Sequence, residues 1–286
     1  MKKDKTHIHW YPGHIARAER KLKEQLSLVD AVIEVVDARL PLSSCYEDIT
    51  RLLGQKPRLL LLNKADLVQK SELVKFIKYL EEKTACPVIP TDAKNSKDLK
   101  IIVNKAVELS EPRIQAIMAK GLLRRPARVM VVGMPNVGKS SIINKLTRSS
   151  KAKIGAKAGV TRQQQWVRIN PQLELLDTPG IIPMKQEDQE KARKLAFVNA
   201  ISENAYSNEI VAQELLDVLD DGQAKAFRDY YSLPQGKELN IDNISIERNW
   251  LLTGGLTDRE RTSVYILRDF RDGKIGKFIL DKFPII

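Results

Sequence analysis

The chain has 286 residues and a formal net charge of +12, which is enough length for one or two domains with a substantial core. Its two cysteines, Cys45 and Cys86, have no metal-ligand spacing; they exclude a disulfide framework and fit a reducing compartment. No apolar run approaches a membrane span, no signal-peptide core opens the chain, and residues 1–10 are too short for a transit peptide, so a cytoplasmic protein with no membrane partner is expected.

A basic segment, 1–28, comes first. Leu59-Leu60-Leu61-Leu62 is then wholly apolar, as in a strand buried on both faces of a parallel sheet. It ends at Asn63-Lys64-Ala65-Asp66. An Asp carboxylate accepts two hydrogen bonds from the N1–H and exocyclic amine of guanine, a donor pair that adenine lacks, so Asp66 points to GTP rather than ATP. Alone, the tetrad is equally a polar exit from a strand.

The β-branched run Arg128-Val129-Met130-Val131-Val132 leads into Gly133-Met134-Pro135-Asn136-Val137-Gly138-Lys139-Ser140, and residues 141–146 carry a helical period. Strand, glycine loop and helix N-terminus aim backbone N–H groups at an anion. This is the phosphate-binding pattern. Phosphate contacts are expected from Asn136, Val137, Gly138, Lys139, Ser140 and Ser141, with the Ser140 hydroxyl on Mg²⁺. Residues 151–162 are rich in Gly and Lys and lack a period. They suit a loop that orders when Thr161 meets Mg²⁺ and the γ-phosphate, or simply a basic loop. Leu173-Glu174-Leu175-Leu176 precedes Asp177-Thr178-Pro179-Gly180, where Asp177 would hold Mg²⁺ through water and the Gly180 N–H would sense the γ-phosphate.

From about residue 186 the pattern turns helical, at 192–198, 210–219 and 224–231. Residues 234–236 break it, 250–255 are expected to cap a further helix, and 263–272 form another, ended by Gly273. Tyr230, Tyr231 and Trp250 are expected to pack rather than to stack on bases. Basic clusters at the N-terminus, around 151–162 and near the C-terminus favour a polyanionic partner, hence nucleic acid. The expected fold is a doubly wound, mostly parallel α/β sheet over 1–185 followed by a small all-α, RNA-binding domain over 186–286.

With these residues in view, the chain resembles the circularly permuted GTPases, specifically the YlqF/RbgA-like ribosome-assembly group. Trp10-Tyr11-Pro12-Gly13-His14 looks like that family's N-terminal motif. Val36-Asp37-Ala38-Arg39-Leu40-Pro41 looks like its first strand and exit loop, and Gly254-Gly255-Leu256 with Ile266-Leu267-Arg268-Asp269 like its C-terminal segment. The guanine tetrad precedes the phosphate loop, which is the family's order. The resemblance implies a second base-contacting loop at Pro90-Thr91-Asp92-Ala93, with Asp92 and Ala93 near guanine. It also implies GTP hydrolysis on the large ribosomal subunit precursor and its rRNA, by a monomer.

Many GTPases place a water-orienting Gln just after the Asp-x-x-Gly motif. Here Ile181 and Ile182 stand there, so hydrolysis is expected to be slow and stimulated by the ribosome. Asn136 occupies the position where related hydrophobic-substituted GTPases bind K⁺, an ion that would neutralise developing phosphate charge. His14 has a catalytic counterpart in the family, and is equally read as a hydrogen-bonder fixing a turn. Permutation carries the Asp177–Gly180 switch straight into the helical domain, so GTP is expected to set affinity for RNA. A nucleotide-gated RNA-binding module with incidental hydrolysis is the other reading. A GTPase coupled to RNA modification is a distant third, because no methyltransferase or redox site is evident.

Overall fold

The computed structural model describes residues 20–46, 49–93, 95–149, 166–176, 180–181 and 188–284. Helical residues 20–26 (α1) lead into β1 (Ala31–Asp37), α2 (Ile49–Leu53), β2 (Arg58–Asn63), α3 (Lys70–Thr84), β3 (Val88–Thr91), α4 (Ser96–Met118) and β4 (Ala127–Gly133). After α5 (Lys139–Ser149) come β5 (Trp166–Asn170), β6 (Leu173–Leu176) and β7 (Gly180–Ile181). The rest is helical: α6 (Gln189–Phe197), α7 (Asn208–Asp217), α8 (Asp221–Tyr231), α9 (Ile241–Glu247) and α10 (Arg259–Arg271).

The strands form one sheet in the order β3-β2-β1-β4-β6-β5, with β7 beside β4. Every described pair is parallel except β5 with β6. The chain runs outward from β1 to β3, then returns across β1 to lay down β4. The crevice between β1 and β4 is therefore the topological switch point, where open α/β sheets bind ligands.

The apolar strands are covered on both faces, as their composition requires. Leu59 and Leu61 join a cluster containing Leu99, Ile102 and Ala106 of α4, whereas Leu60 and Leu62 join another containing Leu73, Phe76 and Leu80 of α3. Each buried leucine contributes about 1.5–3 kcal/mol. The one charged residue in the middle of β1, Glu34, is fully buried; burial pushes its carboxyl up, and Arg58 at 3.1 Å opposes that shift.

Helix starts in the C-terminal region are set by side-chain caps. Asp188, Asp220, Asn240 and Asp258 accept bonds from the first-turn N–H groups of α6, α8, α9 and α10, and Asp220 forms a capping box with Gln223. The expectation that 250–255 cap a helix is corrected. α9 ends at Glu247, and 250–257 close as a tight turn with a Leu251–Thr257 bridge and a Leu252 N–H to Leu256 carbonyl bond of 2.8 Å. The pair Gly254 (φ 90°) and Gly255 (φ 81°) turns the chain there, in a conformation that disfavours other residues.

After α10 the chain returns to the first half of the sequence. The Leu280 N–H donates to the Arg39 carbonyl at 2.9 Å, and Asp281 accepts from the Leu42 and Ser43 N–H groups at 2.8 Å each. Phe283 meets Phe76 and Tyr79 of α3 edge-on. This strap binds the helical region to the edge of the sheet that carries the guanine tetrad.

Candidate functional site

The ends of β1, β2 and β3 lie side by side, with Asp37 opposite Asn63 and Asn63 opposite Thr91; on the other side of β1, Val35 lies opposite Gly133. The tetrad and the phosphate loop, seventy residues apart in sequence, therefore meet. Asn63 Nδ2 donates to the Val137 carbonyl at 2.7 Å, and Lys64 Nζ donates to the Asn136 carbonyl at 3.1 Å. Lys64 itself is left-handed (φ 63°), an uncommon conformation for a non-glycine residue that swings its side chain onto the loop.

Two glycines are fixed by this contact. A Cβ on Gly133 would sit 2.4 Å from the Val35 carbonyl oxygen, and one on Gly138 would sit 2.1 Å from Asn63 Nδ2. The glycine spacing thus serves the strand-to-loop packing as well as access to an anion.

Beneath Lys64 lies Asp37, fully buried. Arg39 donates to it through Nε at 2.9 Å and Nη2 at 2.8 Å, and Lys64 Nζ donates at 2.8 Å. Burial alone would raise this carboxyl, but the two cations hold it well below the usual carboxylate range. Lys64 is pulled down by burial and partly restored by Asp37.

Lys139 is buried in the phosphate loop, and its ammonium donates to the Met134 carbonyl at 2.5 Å. Burial lowers its pKa to about 8. Among the described residues no carboxylate lies within ion-pair distance of it. A buried ammonium that, among the described residues, is held by its own loop carbonyl fits an incoming phosphate. Ser140 and Ser141 are exposed on the first turn of α5, and Val137 is buried.

Asp66 sits in the short 3₁₀ turn Ala65–Leu67 directly after the tetrad lysine. Asp92 follows β3, and its N–H donates to Asp98 at 3.1 Å; Ala93 packs on the main core. The Asn63 Oδ1 and Thr91 Oγ1 atoms are buried without hydrogen-bond partners on facing strands. Gly180 pairs with Val132, and Ile181, which stands in the place of the Gln, pairs with Gly133. Thr161, Asp177 and His14 lie outside the described residues, as does Ile182.

Sequence reasoning missed how this site joins the helical region. Asn136, left-handed at φ 56°, donates its side-chain amide to the Asn199 carbonyl just beyond α6 at 2.8 Å. Arg271, in the last turn of α10, donates to the Ala196 and Phe197 carbonyls and to Tyr206, and pairs with Glu203 at 2.7 Å. Its own carbonyl accepts from Arg39 at 3.2 Å. Lys64, Asp37, Arg39, Arg271, the end of α6 and Asn136 thus form a ring of contacts, and all of these but Asp37 line a cavity of about 380 Å³. Lys64 and Asn136 were expected at the nucleotide and Asp37 and Arg39 stood in the quoted Val36–Pro41 motif, whereas the contact of Arg271 with the end of α6 carried no signal.

A mostly parallel sheet with a glycine-lysine loop at its switch point and a guanine-type tetrad docked on that loop from earlier in the chain defines a circularly permuted P-loop GTPase. The model for the family described as 50S ribosome-binding GTPase matches residues 128–238. Ribosome biogenesis GTPase A of Bacillus cereus is 39% identical over 96% of this chain and 93% of its own length. Mitochondrial ribosome-associated GTPase 1 of Mus musculus is 34% identical over 96% of this chain and 90% of its own. Among solved structures, GNP-bound YlqF from T. maritima superposes with a TM-score of 0.67 at 25% identity, covering 93% of this chain and 98% of that one. The chain belongs to the ribosome biogenesis GTPase A family, the YlqF/RbgA-like permuted GTPases.

Proposed function

We propose that this GTPase is an assembly factor for the large ribosomal subunit, with GTP controlling its affinity for the precursor and its rRNA. The observation that carries the reading is the ring of contacts running from the phosphate loop through Asn136 to Asn199 and back through Arg271, Arg39 and Lys64. A nucleotide entering the loop must displace Lys139 from the Met134 carbonyl, beside a residue that already holds the helical region. The names of the relatives, from bacteria and animals, support the ribosomal setting.

In this reading Asn63, Lys64, Asp66, Asp92 and Ala93 surround guanine. Asn136, Val137, Gly138, Lys139, Ser140, Ser141 and Gly180 meet the phosphates. Mg²⁺ would be held by Ser140, Thr161 and, through water, Asp177, and would neutralise phosphate charge. K⁺ would use the side-chain oxygen of Asn136, whose amide nitrogen is the atom that donates to Asn199. His14 is the candidate for handling the attacking water. The chain divides near residue 185 into a GTPase unit and a helical RNA-binding unit, and acts as a cytoplasmic monomer with no membrane partner. Among the described residues no helix is long and apolar enough to cross a membrane.

With Ile181 in place of a Gln, a partner has to supply part of the catalysis. Phosphate release from GTP, measured with and without purified large subunits, should rise at least about tenfold with them. Release that ignores the subunit would favour a binding module with incidental hydrolysis. Stimulated release that survives His14→Ala unchanged would remove His14 from the mechanism.

A further inference from the structure

Arg248, Trp250, Arg261, Tyr265 and Arg268 form a layered surface on the helical region, and Arg268 at one end of it also lines the cavity beside Lys64 and Asn136. The Trp250 and Tyr265 rings stack 4.6 Å apart at 24°, and Trp250 rests edge-on against the buried Tyr231. Residues 261, 265 and 268 follow helical spacing on one face of α10. The Arg268 guanidinium lies 4.2 Å from the Tyr265 ring centre, Arg261 lies 5.8 Å from Tyr265 and 6.0 Å from Trp250, and Arg248 lies 5.6 Å from Trp250.

All three arginines are exposed, while both rings are half-buried. Among the described residues neither Arg248 nor Arg261 has a carboxylate within 4.0 Å. Arg259, two residues away on the same helix, is tied to both Glu209 and Asp242. A stable fold has no need of two unpaired guanidiniums laid against aromatic rings. Such a guanidinium is pre-ordered, so its N–H edge meets a phosphate at a smaller entropic cost than a free side chain. Beside them, Leu252 and Leu256 stand exposed on the Gly254-Gly255 turn, an apolar surface that suits the face of an unstacked base and has no use for a fully solvated polyanion.

We infer that this face is where the helical region grips rRNA, through backbone phosphates on Arg248, Arg261 and Arg268 and an unstacked base on the turn beside them. The inference rests on the proposed ribosomal function and adds to it a surface and a mode of recognition. A charge of +12 over the whole chain complements such a partner.

The test uses the full chain loaded with a non-hydrolysable GTP analogue and labelled, deproteinised large-subunit rRNA, titrated over a salt series. Relative to wild type, R248A/R261A should bind at least about tenfold more weakly, and the slope of log K against log salt should flatten by about 2. R248K/R261K should recover the slope but not the affinity, because an ammonium does not lie flat on a ring. Intrinsic GTP hydrolysis and far-UV dichroism should be unchanged in both variants. Alanine variants that bind like wild type overturn the surface, and lysine variants that match wild type overturn the stacking. If the same substitutions instead weaken binding of poly-glutamate and spare RNA, the face belongs to an acidic protein. A wild-type chain that ignores the rRNA altogether defeats the proposed function itself, a result distinct from a variant that binds normally.

Discussion

The carboxyl edge of the sheet and the layered surface of the helical region use arginine in opposite ways. At the sheet edge Arg39 is only 2% exposed and shares the buried Asp37 with Lys64. On the helical region Arg248 and Arg261 are exposed and lean on half-buried rings, with no carboxylate partner among the described residues. Buried charge must be matched within the fold, so the first set fixes geometry. Exposed and unmatched charge is left for something outside the fold.

The contrast predicts a wide gap in stability. Asp37→Ala strands a buried guanidinium and should cost about 3–5 kcal/mol in urea unfolding. Because Asp37 is held below its ordinary value, its contribution is fully present at neutral pH and is lost only under strongly acid conditions. Arg248→Ala should change unfolding by no more than about 0.5 kcal/mol. Comparable losses at the two sites would erase the distinction.

Nucleotide binding gives intermediate effects. Gly138→Ala forces a Cβ toward Asn63 Nδ2 at a backbone φ of 102°, and should weaken binding of a fluorescent GDP roughly ten- to hundredfold. A milder effect should come from pH. Burial lowers Lys139 to about 8, so the nucleotide-free protein sheds that proton as pH rises past this value. Bound phosphate restores it. Affinity should therefore be flat below pH 8 and then fall by about tenfold per unit, with proton uptake on binding that calorimetry can count. Lys139→Met should bind weakly and without that pH dependence.

β2 and β4 were legible because each is built on an apolar run that stops at a polar or glycine motif. Residues 59–62 and 128–132 lie within β2 and β4, and the order of the motifs along the chain implied permutation. The helix at 263–272 was legible from its period, although capping by Asp258 starts it at Arg259. The reading failed where meaning depends on distant partners. Glu34 carried no signal in the sequence, because its role depends on Arg58 beside it on β2. Arg271 was one member of the C-terminal basic cluster, and its ties to the Ala196 and Phe197 carbonyls and the Arg39 guanidinium had no sequence signal. The strap at 274–284 has no regular period, because its residues are held one by one by Arg39, Leu42, Ser43 and α3.

That ring of distant partners is what the proposed coupling of the nucleotide site to the helical region rests on. The direct measurement is the affinity of the full chain for large ribosomal subunits, by sedimentation, with a GTP analogue and with GDP, in wild type and in Asn136→Ala. The two nucleotide states of the wild type should differ by about 5- to 150-fold, and loss of the Asn136–Asn199 bond should shrink that ratio while leaving subunit binding itself intact. Equal affinity in the two states would contradict the account.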